Sequence, residues 1–201
     1  MYIYGAGGHA KVILEILEDS GISVDALFAD NASVGSHYGY MVYPTSQVKG
    51  PLIIGIGDNY TRYKIACSLK LNFSKAIHPS AIMSRRATIK DGTVVMQGAV
   101  IQSCSEIGKH CIVNSASSID HECVIESFVH IAPHATLCGN VKVGEGSWIG
   151  AGATVLPGVT IGKWAIIGAG SVVRQNIPDM VVAAGNKCRI IRSSQENNPY
   201  K

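Results

Sequence analysis

The sequence predicts two domains of different fold class: an α/β domain at the N-terminus and, after it, an all-β parallel β-helix. From residue 77 to residue 173 an aliphatic side chain returns at every sixth position with no insertion, and a fixed repeat of this kind is the signature of a solenoid. Before residue 73, short apolar runs typical of strands alternate with helical patterns, and a glycine-rich turn joins the first strand to the first helix. That arrangement is typical of a Rossmann-like, doubly wound half-unit.

Residues 1–72 form the predicted α/β domain, which we interpret as a βαβαβ half-unit. Short apolar runs predict three strands, Tyr2–Tyr4, Val24–Ala29 and Leu52–Gly57. The spacing of apolar residues predicts a first helix that ends at Gly21 and a second helix over Asn59–Leu69. Residues 32–50 carry no such period and are expected to form a loop with room for one more short strand.

A phosphate-binding turn is predicted between the first strand and the first helix. Gly5, Gly7 and Ala10 have the spacing of the dinucleotide fingerprint, and Asp30 follows about 20 residues later. Glycines let a phosphate approach the helix N-terminus, where backbone amides favour an anion. A dinucleotide site needs two half-units, so this single half-unit fits a mononucleotide or nucleotide-sugar better than NAD. The alternative is a tight turn that binds nothing.

The β-helix is predicted over residues 73–178, with a C-terminal tail over residues 179–201. The sixth-position residues from Ile77 to Val173 are all branched aliphatics or Met. A small or slim side chain follows four residues after each of them, as at Ala81, Ser105 and Cys123. Period six fits neither an amphipathic helix nor a simple strand. It fits a coil of short flat faces with aliphatic residues inside and small ones in the corners. A β-sandwich would not keep a six-residue repeat in phase over so many turns.

Composition narrows the functional class and the compartment. The chain has 201 residues, and 17 basic against 14 acidic residues give a net charge of +3, too mild to indicate nucleic-acid binding. The sequence contains no continuous apolar run of 18 residues and so predicts no membrane-spanning helix. The N-terminus lacks the pattern of a secretory signal. Six cysteines without a CxxC pair, two of them in the small-residue phase, predict buried free thiols and a cytoplasmic location.

A candidate general base stands in the repeats at Asp120-His121-Glu122. Ile119 and Cys123 fix the register, so His121 is expected to face outward with a carboxylate on either side. A positioned imidazole of this kind equips a site for general base catalysis near neutral pH. The alternative is an inert surface histidine.

Two further residues relate to His121 through the coil geometry. If three hexads make one coil, Gly139 stacks one coil from His121, and its backbone amide is a candidate oxyanion donor. His130 is nine residues away, half a coil round, so two subunits would be needed to bring the imidazoles together. A zinc site using His130 and His134 is the metal alternative. The histidines fall in different repeat phases, and we predict no metal.

Four stretches of the chain resemble a known family over nearly its whole length: Gly5–Val12, Ile54–Asn59, Asp120–Cys123 and Val129–Pro133. They resemble the left-handed β-helix hexapeptide acyltransferases. The particular likeness is to the sialic-acid O-acetyltransferase-like family with an N-terminal nucleotide-sugar domain. The most similar members are N-acetyltransferases of nucleotide-linked 4-amino sugars, of the bacillosamine and perosamine type.

The resemblance implies a role for each candidate residue. His121 is the base, Glu122 raises its basicity, Asn114 lies near the acceptor, and Gly139 offers its amide to the thioester carbonyl. His130, Ala151 and Ala169 line the coenzyme A groove. The nucleotide is held by Gly7, Gly8, His9, Asp30, Asn31 and Gly57. Lys187 and Cys188 depart from the Pro and Ala usual in the family's tail, so no coenzyme contact is predicted there.

The sequence is therefore interpreted as an acetyl-CoA-dependent N-acetyltransferase. Its expected substrate is a nucleotide-linked 4-amino sugar (UDP-, GDP- or dTDP-linked), its expected assembly is a homotrimer, and neither metal nor nicotinamide is needed. Three alternatives remain open. They are O-acetylation of a sialic acid on the same scaffold, a non-catalytic nucleotide-sugar-binding protein, and a nicotinamide oxidoreductase, which the half-sized N-terminal domain opposes.

Overall fold

A computed structural model describes residues 1–30 and 35–193. It confirms the predicted architecture of an α/β unit followed by a parallel β-helix. The elements of the α/β unit are β1 (Tyr2–Tyr4), α1 (Gly8–Asp19), β2 (Ala26–Ala29), β3 (Gly35–His37), β4 (Tyr40–Pro44), a 3-10 turn (Thr45–Gln47), β5 (Leu52–Ile54) and α2 (Asn59–Ser68).

The sheet of the α/β unit has the order β3-β4-β2-β1-β5, with all neighbours parallel except β3 and β4. The stretch expected to be a loop with room for one more short strand contains the β3–β4 hairpin, and the second helix follows β5 as expected. The turn residues Tyr38 and Gly39 both have positive φ, +53° and +81°, as a two-residue hairpin turn requires. Residues 32–50 lack the apolar period that a helix would need to pack on the sheet.

The α/β unit packs on one face of the β-helix through a buried apolar cluster that is separate from the β-helix interior. Ile13 and Leu17 of α1 pack against the sheet through Ile3. The same buried cluster contains Val94 and Ile112, which belong to the β-helix. The domain boundaries at residues 72 and 178 remain predictions, because packing is continuous across the first of them.

Between residues 76 and 173, all of which the structure describes, the chain forms 17 strands of two residues each. They are β6 (Ala76–Ile77), β7 (Ile82–Met83), β8 (Thr88–Ile89), β9 (Val94–Val95), β10 (Val100–Ile101), β11 (Glu106–Ile107), β12 (Ile112–Val113), β13 (Ser118–Ile119), β14 (Val124–Ile125), β15 (His130–Ile131), β16 (Thr136–Leu137), β17 (Lys142–Val143), β18 (Trp148–Ile149), β19 (Thr154–Val155), β20 (Thr160–Ile161), β21 (Ile166–Ile167) and β22 (Val172–Val173).

These strands stack into three parallel sheets, and the predicted 18-residue coil is confirmed by pairs such as Val113 with Ile131. Face 1 runs from β6 through β9, β12, β15 and β18 to β21. Face 2 runs from β7 through β10, β13, β16 and β19 to β22, and face 3 runs from β8 through β11, β14 and β17 to β20. Two strands of the predicted tail, β23 (Val181–Ala184) and β24 (Arg189–Ser193), extend face 1.

The interior follows the sequence pattern. From Val95 onward the sixth-position aliphatics are at most 2% exposed, and the corners hold the small side chains. Polar corner residues bond to the backbone, as when Thr93 Oγ1 donates to the carbonyl of Gly108 at 2.7 Å. Cys111 and Cys123 are buried free thiols as predicted, and burial raises the pKa of Cys111 to about 12. No helix in the described part of the chain is long and apolar enough to cross a membrane.

Candidate active site

The predicted nucleotide-binding residues meet at one edge of the α/β sheet, beyond the carboxyl ends of its parallel strands. Gly7 and Gly8 follow β1, and Gly57 follows β5. A Cβ atom added at any of these three glycines would meet no heavy atom within 4 Å. The fold therefore does not require glycine there for lack of space, and the backbone is open to a ligand. Such an edge is where open α/β sheets bind their ligands.

Asp30 follows β2 at the same edge and has a fixed carboxylate. Tyr4 and Thr45 both donate their hydroxyls to Oδ1 of Asp30, at 3.0 and 2.9 Å. Burial of the Tyr4 phenol, together with the neighbouring carboxylate, raises the pKa of Tyr4. Both bonds fall on one oxygen, and Oδ2 of this exposed side chain has no hydrogen-bond partner among the described residues. Asn31, the remaining residue of this predicted set, lies outside the described residues.

His9 lies in the first turn of α1 and is a half-buried imidazole whose Nε2 atom is buried. Its Nε2 atom has no hydrogen-bond partner in the described part of the chain. Burial, assisted by the Arg62 cation, lowers the pKa of His9 to about 4. The ring is therefore uncharged at neutral pH and offers a nitrogen for hydrogen bonding.

His130 and Asn114 join this edge from face 1 of the β-helix. Asn114 Oδ1 accepts the Ser115 backbone N–H at 2.8 Å, which turns Nδ2 of the amide toward Nε2 of His130 at 3.1 Å. Burial, with help from Arg62 and His9, lowers the pKa of His130 to about 3, and the nearby Gly57 backbone opposes that shift. The neutral ring accepts the Asn114 amide at Nε2.

The predicted base lies elsewhere, on the corner between faces 2 and 3. His121 is exposed, and its Nδ1 is 3.2 Å from Oε2 of Glu122. Asp120, the other flanking carboxylate, accepts the backbone N–H of His121 at 2.7 Å and so fixes the loop rather than the ring. Gly139 stacks against the imidazole, because a Cβ there would lie 2.6 Å from Cε1 and Nε2 of His121. The Gly139 amide donates to no group in the described residues.

Ala151 and Ala169 lie on a third line, the corner between faces 1 and 2. Both are exposed. They stack directly, since the N–H of Gly170 donates to the carbonyl of Ala151 at 2.8 Å. Ser115, next to Asn114, stacks lower on the same corner, where its carbonyl accepts the N–H of His134 at 3.1 Å. One chain thus brings Asn114, His130 and the nucleotide edge together, and it leaves His121 on a different corner.

Two residues that the sequence analysis missed connect the halves of this site. Arg62 and Asn59 project from α2 and are fully buried against the β-helix. In the sequence, Asn59 stands out only as part of the Ile54–Asn59 stretch. Arg62 gives no signal, because an arginine in a helix of low amphipathicity is expected to lie on the surface. No group of three or more His, Cys, Asp or Glu side chains that could hold a metal ion occurs among the described residues.

Three neutral histidines with lowered pKa values predict a loss of stability in acid. The pKa values of His9 and His110 are lowered to about 4 and that of His130 to about 3, whereas an unfolded histidine titrates near ~6.5. Below that value the unfolded chain binds more protons than the folded one, so stability falls as pH falls. We expect the melting temperature to decrease progressively from about pH 6.5 to pH 4, as the linkage requires. Scanning calorimetry across that range checks this, and a constant melting temperature would contradict it.

Two family models match the chain. The PglD N-terminal domain matches residues 1–69, and the bacterial transferase hexapeptide (six repeats) matches residues 140–175. With the fold and the site described above, these matches define a hexapeptide-repeat transferase that carries an α/β N-terminal domain.

Solved structures give the family. A histidine-to-asparagine mutant of perosamine N-acetyltransferase from Caulobacter crescentus, in complex with CoA and GDP-perosamine, is 36% identical with a TM-score of 0.88, covering 94% of this chain and 95% of that one. The acetyltransferase domain of PglB from Neisseria gonorrhoeae is 35% identical with a TM-score of 0.88, covering 94% of this chain and 98% of that one. The chain therefore belongs to the hexapeptide-repeat acetyltransferases of the perosamine and bacillosamine N-acetyltransferase family.

Curated relatives agree over shorter stretches. UDP-N-acetylbacillosamine N-acetyltransferase of Bacillus subtilis is 41% identical over 107 residues, which is 47% of this chain and 50% of that protein. The chain spans half or less of the length of the first curated relatives that it matches.

Proposed function

We propose that this protein transfers an acetyl group from acetyl-CoA to the amino group of a nucleotide-linked 4-amino sugar. The observation that carries the proposal is the sheet edge that presents the open glycines and Asp30, together with the neutral imidazoles of His9 and His130. The structural relative above was solved with CoA and GDP-perosamine, and the PglB domain was solved with acetyl coenzyme A. Both support a ligand pair of the same chemical classes here.

The proposed reaction is a direct attack without an acyl-enzyme. The sugar amine forms a C–N bond to the acetyl carbon, the C–S bond breaks, and coenzyme A leaves as a thiol. His121 takes the proton that the amine loses and donates it to the departing sulfur, and Glu122 at 3.2 Å holds one tautomer of the ring. The Gly139 amide stabilises the oxyanion of the tetrahedral intermediate. The mechanism needs neither of the buried thiols, Cys111 and Cys123, as a nucleophile.

The active site is proposed to form between subunits of a homotrimer. Outward residues of face 2 carry no charge: Ile82, Val100, Ser118, Thr136, Thr154 and Val172. Face 3 presents Glu106 and Lys142 instead, and face 1 is covered by the α/β unit. Flat uncharged patches favour association through face 2, and three copies close a ring. In that trimer, His121 of one subunit lies close to the neighbouring subunit, at the corner where Ala151 and Ala169 stand.

The acceptor assay tests the proposed function. The protein is supplied with acetyl-CoA and, in parallel, with UDP-, GDP- or dTDP-linked 4-amino sugars and with free sialic acid, and thiol release is followed. We expect release with at least one amino sugar, because a neutral amine is a better nucleophile than a hydroxyl and one base suffices. Release with sialic acid alone would replace the proposal by O-acetylation. Binding of nucleotide-sugar without any thiol release would favour a binding protein.

A further inference from the structure

Helix α2 is attached to the β-helix through backbone carbonyls that the solenoid leaves unused. The carbonyls of His110, Phe128 and Gly146 lie at successive levels of one corner, and no coil-to-coil hydrogen bond uses them. Nδ2 of Asn59 donates to the carbonyl of Gly146 at 3.0 Å. Arg62 donates from Nε to the carbonyl of His110 at 2.8 Å and from Nη2 to that of Phe128 at 3.0 Å.

The same guanidinium reaches the nucleotide edge. Nη1 of Arg62 donates to the carbonyls of Ile56 and Gly57 at 3.0 and 3.1 Å, and Nη2 also donates to Oδ1 of Asn59 at 2.8 Å. The side chain is 1% exposed. All three nitrogens are thus used, and the acceptors belong to the β5–α2 loop, to α2 and to two coils of the β-helix.

We infer that Arg62 is a positioning residue for the proposed nucleotide-sugar site. It holds the Gly57 backbone in one geometry relative to the β-helix. This inference rests on the proposed function for its kinetic consequence, but the geometry belongs to the chain itself. The Gly57 backbone lies near enough to the His130 ring to influence its pKa, so the same carbonyl segment adjoins the buried cation and that imidazole.

The fork shape of the guanidinium is essential to this role. A lysine supplies three donors from a single atom and cannot reach acceptors on opposite sides, as the planar arginine does. Both Arg62→Lys and Arg62→Met should therefore release the Gly57 loop. A purely electrostatic role would be rescued by lysine, so the pair of variants separates geometry from charge.

The test compares both Arg62 variants with Tyr63→Ala. Tyr63 lies on the same helix and packs against Phe128 and Trp164, with ring centroids 5.2 and 5.7 Å apart, without a hydrogen bond to Gly57. We expect both Arg62 variants to raise the KM for the nucleotide-sugar at least about tenfold, the effect of removing one well-placed hydrogen-bonded contact, while the KM for acetyl-CoA is unchanged. Tyr63→Ala should lower the melting temperature with neither KM altered.

A second readout needs no substrate. The backbone amide resonance of Gly57 reports the conformation of this loop, and we expect a broadened or multiple resonance in the Arg62 variants and a single sharp one, with the parent chemical shifts, in Tyr63→Ala. Absence of acetyl transfer in the parent would remove the proposed function while leaving this measurement decisive. Unchanged shifts in the Arg62 variants would overturn the inference. So would nucleotide-sugar KM values equal to those of Tyr63→Ala, or full rescue by lysine.

Discussion

Replacing His121 by alanine should lower the turnover number by about 10²- to 10⁴-fold, the usual contribution of a positioned general base. The imidazole is exposed, and among the described residues its ring hydrogen-bonds Glu122 at 3.2 Å. The change should therefore leave the melting temperature nearly constant. Steady-state kinetics of thiol release gives the turnover number, and calorimetry checks the fold. An unaltered turnover number would remove His121 from the mechanism.

Glu122→Gln is the matched control for the base. It keeps the shape and a hydrogen-bond acceptor beside Nδ1 of His121 but removes the charge, so we expect a smaller loss than in His121→Ala. If Glu122→Gln were as damaging as His121→Ala, the carboxylate and the imidazole would act as one unit, and Glu122 would be essential rather than assisting.

The same variant tests the proposed trimer. Asn114 and His121 lie on different corners of one chain, so each proposed site takes one residue from each of two subunits. Mixing inactive His121→Ala with inactive Asn114→Ala, after dissociation and reassembly, should restore part of the activity, because some interfaces then contain both native residues. Activity that stays at the level of the separate variants would place the site within one chain.

The β-helix could be predicted from the sequence because every coil repeats the same packing problem. A single phase, set at Ile77, gives the direction of each side chain through to Val173, and the buried corners accept only small groups. Each two-residue strand ends at a sixth-position residue, so the bounds of the strands follow from the same phase. The β3–β4 hairpin could not be predicted in the same way, since hairpin turns depend on local φ values such as those of Tyr38 and Gly39.

Site prediction had a different limit. Open glycines and the exposed Asp30 stand in a recognisable motif, and their common edge follows from strand order. The surroundings of His130 do not follow, because they depend on how α2 docks on the β-helix. That docking uses corner carbonyls of residues in left-handed conformation, His110 and Phe128 at φ +56° and +63°. A backbone carbonyl carries no sequence signal, so the arginine that binds it appears in the sequence as an ordinary surface charge.

Gly7→Val should abolish most nucleotide-sugar binding without unfolding the protein. Gly7 caps α1 with an extended backbone, φ −90° and ψ −167°, which valine adopts readily. Nothing lies within 4 Å of the added Cβ, so the side chain enters the space that a phosphate must occupy at the helix N-terminus. Valine is a poorer N-cap than glycine, which sets the stability loss at about 1 kcal/mol or less.

Calorimetric titration with the nucleotide-sugar and, separately, with coenzyme A measures the effect. We expect the nucleotide-sugar affinity of Gly7→Val to fall by more than about tenfold, a difference of about 1.4 kcal/mol, with the coenzyme A affinity unchanged. Gly7→Ala adds one methyl group and should give an intermediate loss, because obstruction grows with the volume placed in the phosphate path. An equal fall in both affinities, in a variant that kept its melting temperature, would contradict the proposal that the α/β unit binds the nucleotide and the β-helix binds coenzyme A. An unchanged nucleotide-sugar affinity would instead mean that the phosphates bind away from the α1 terminus.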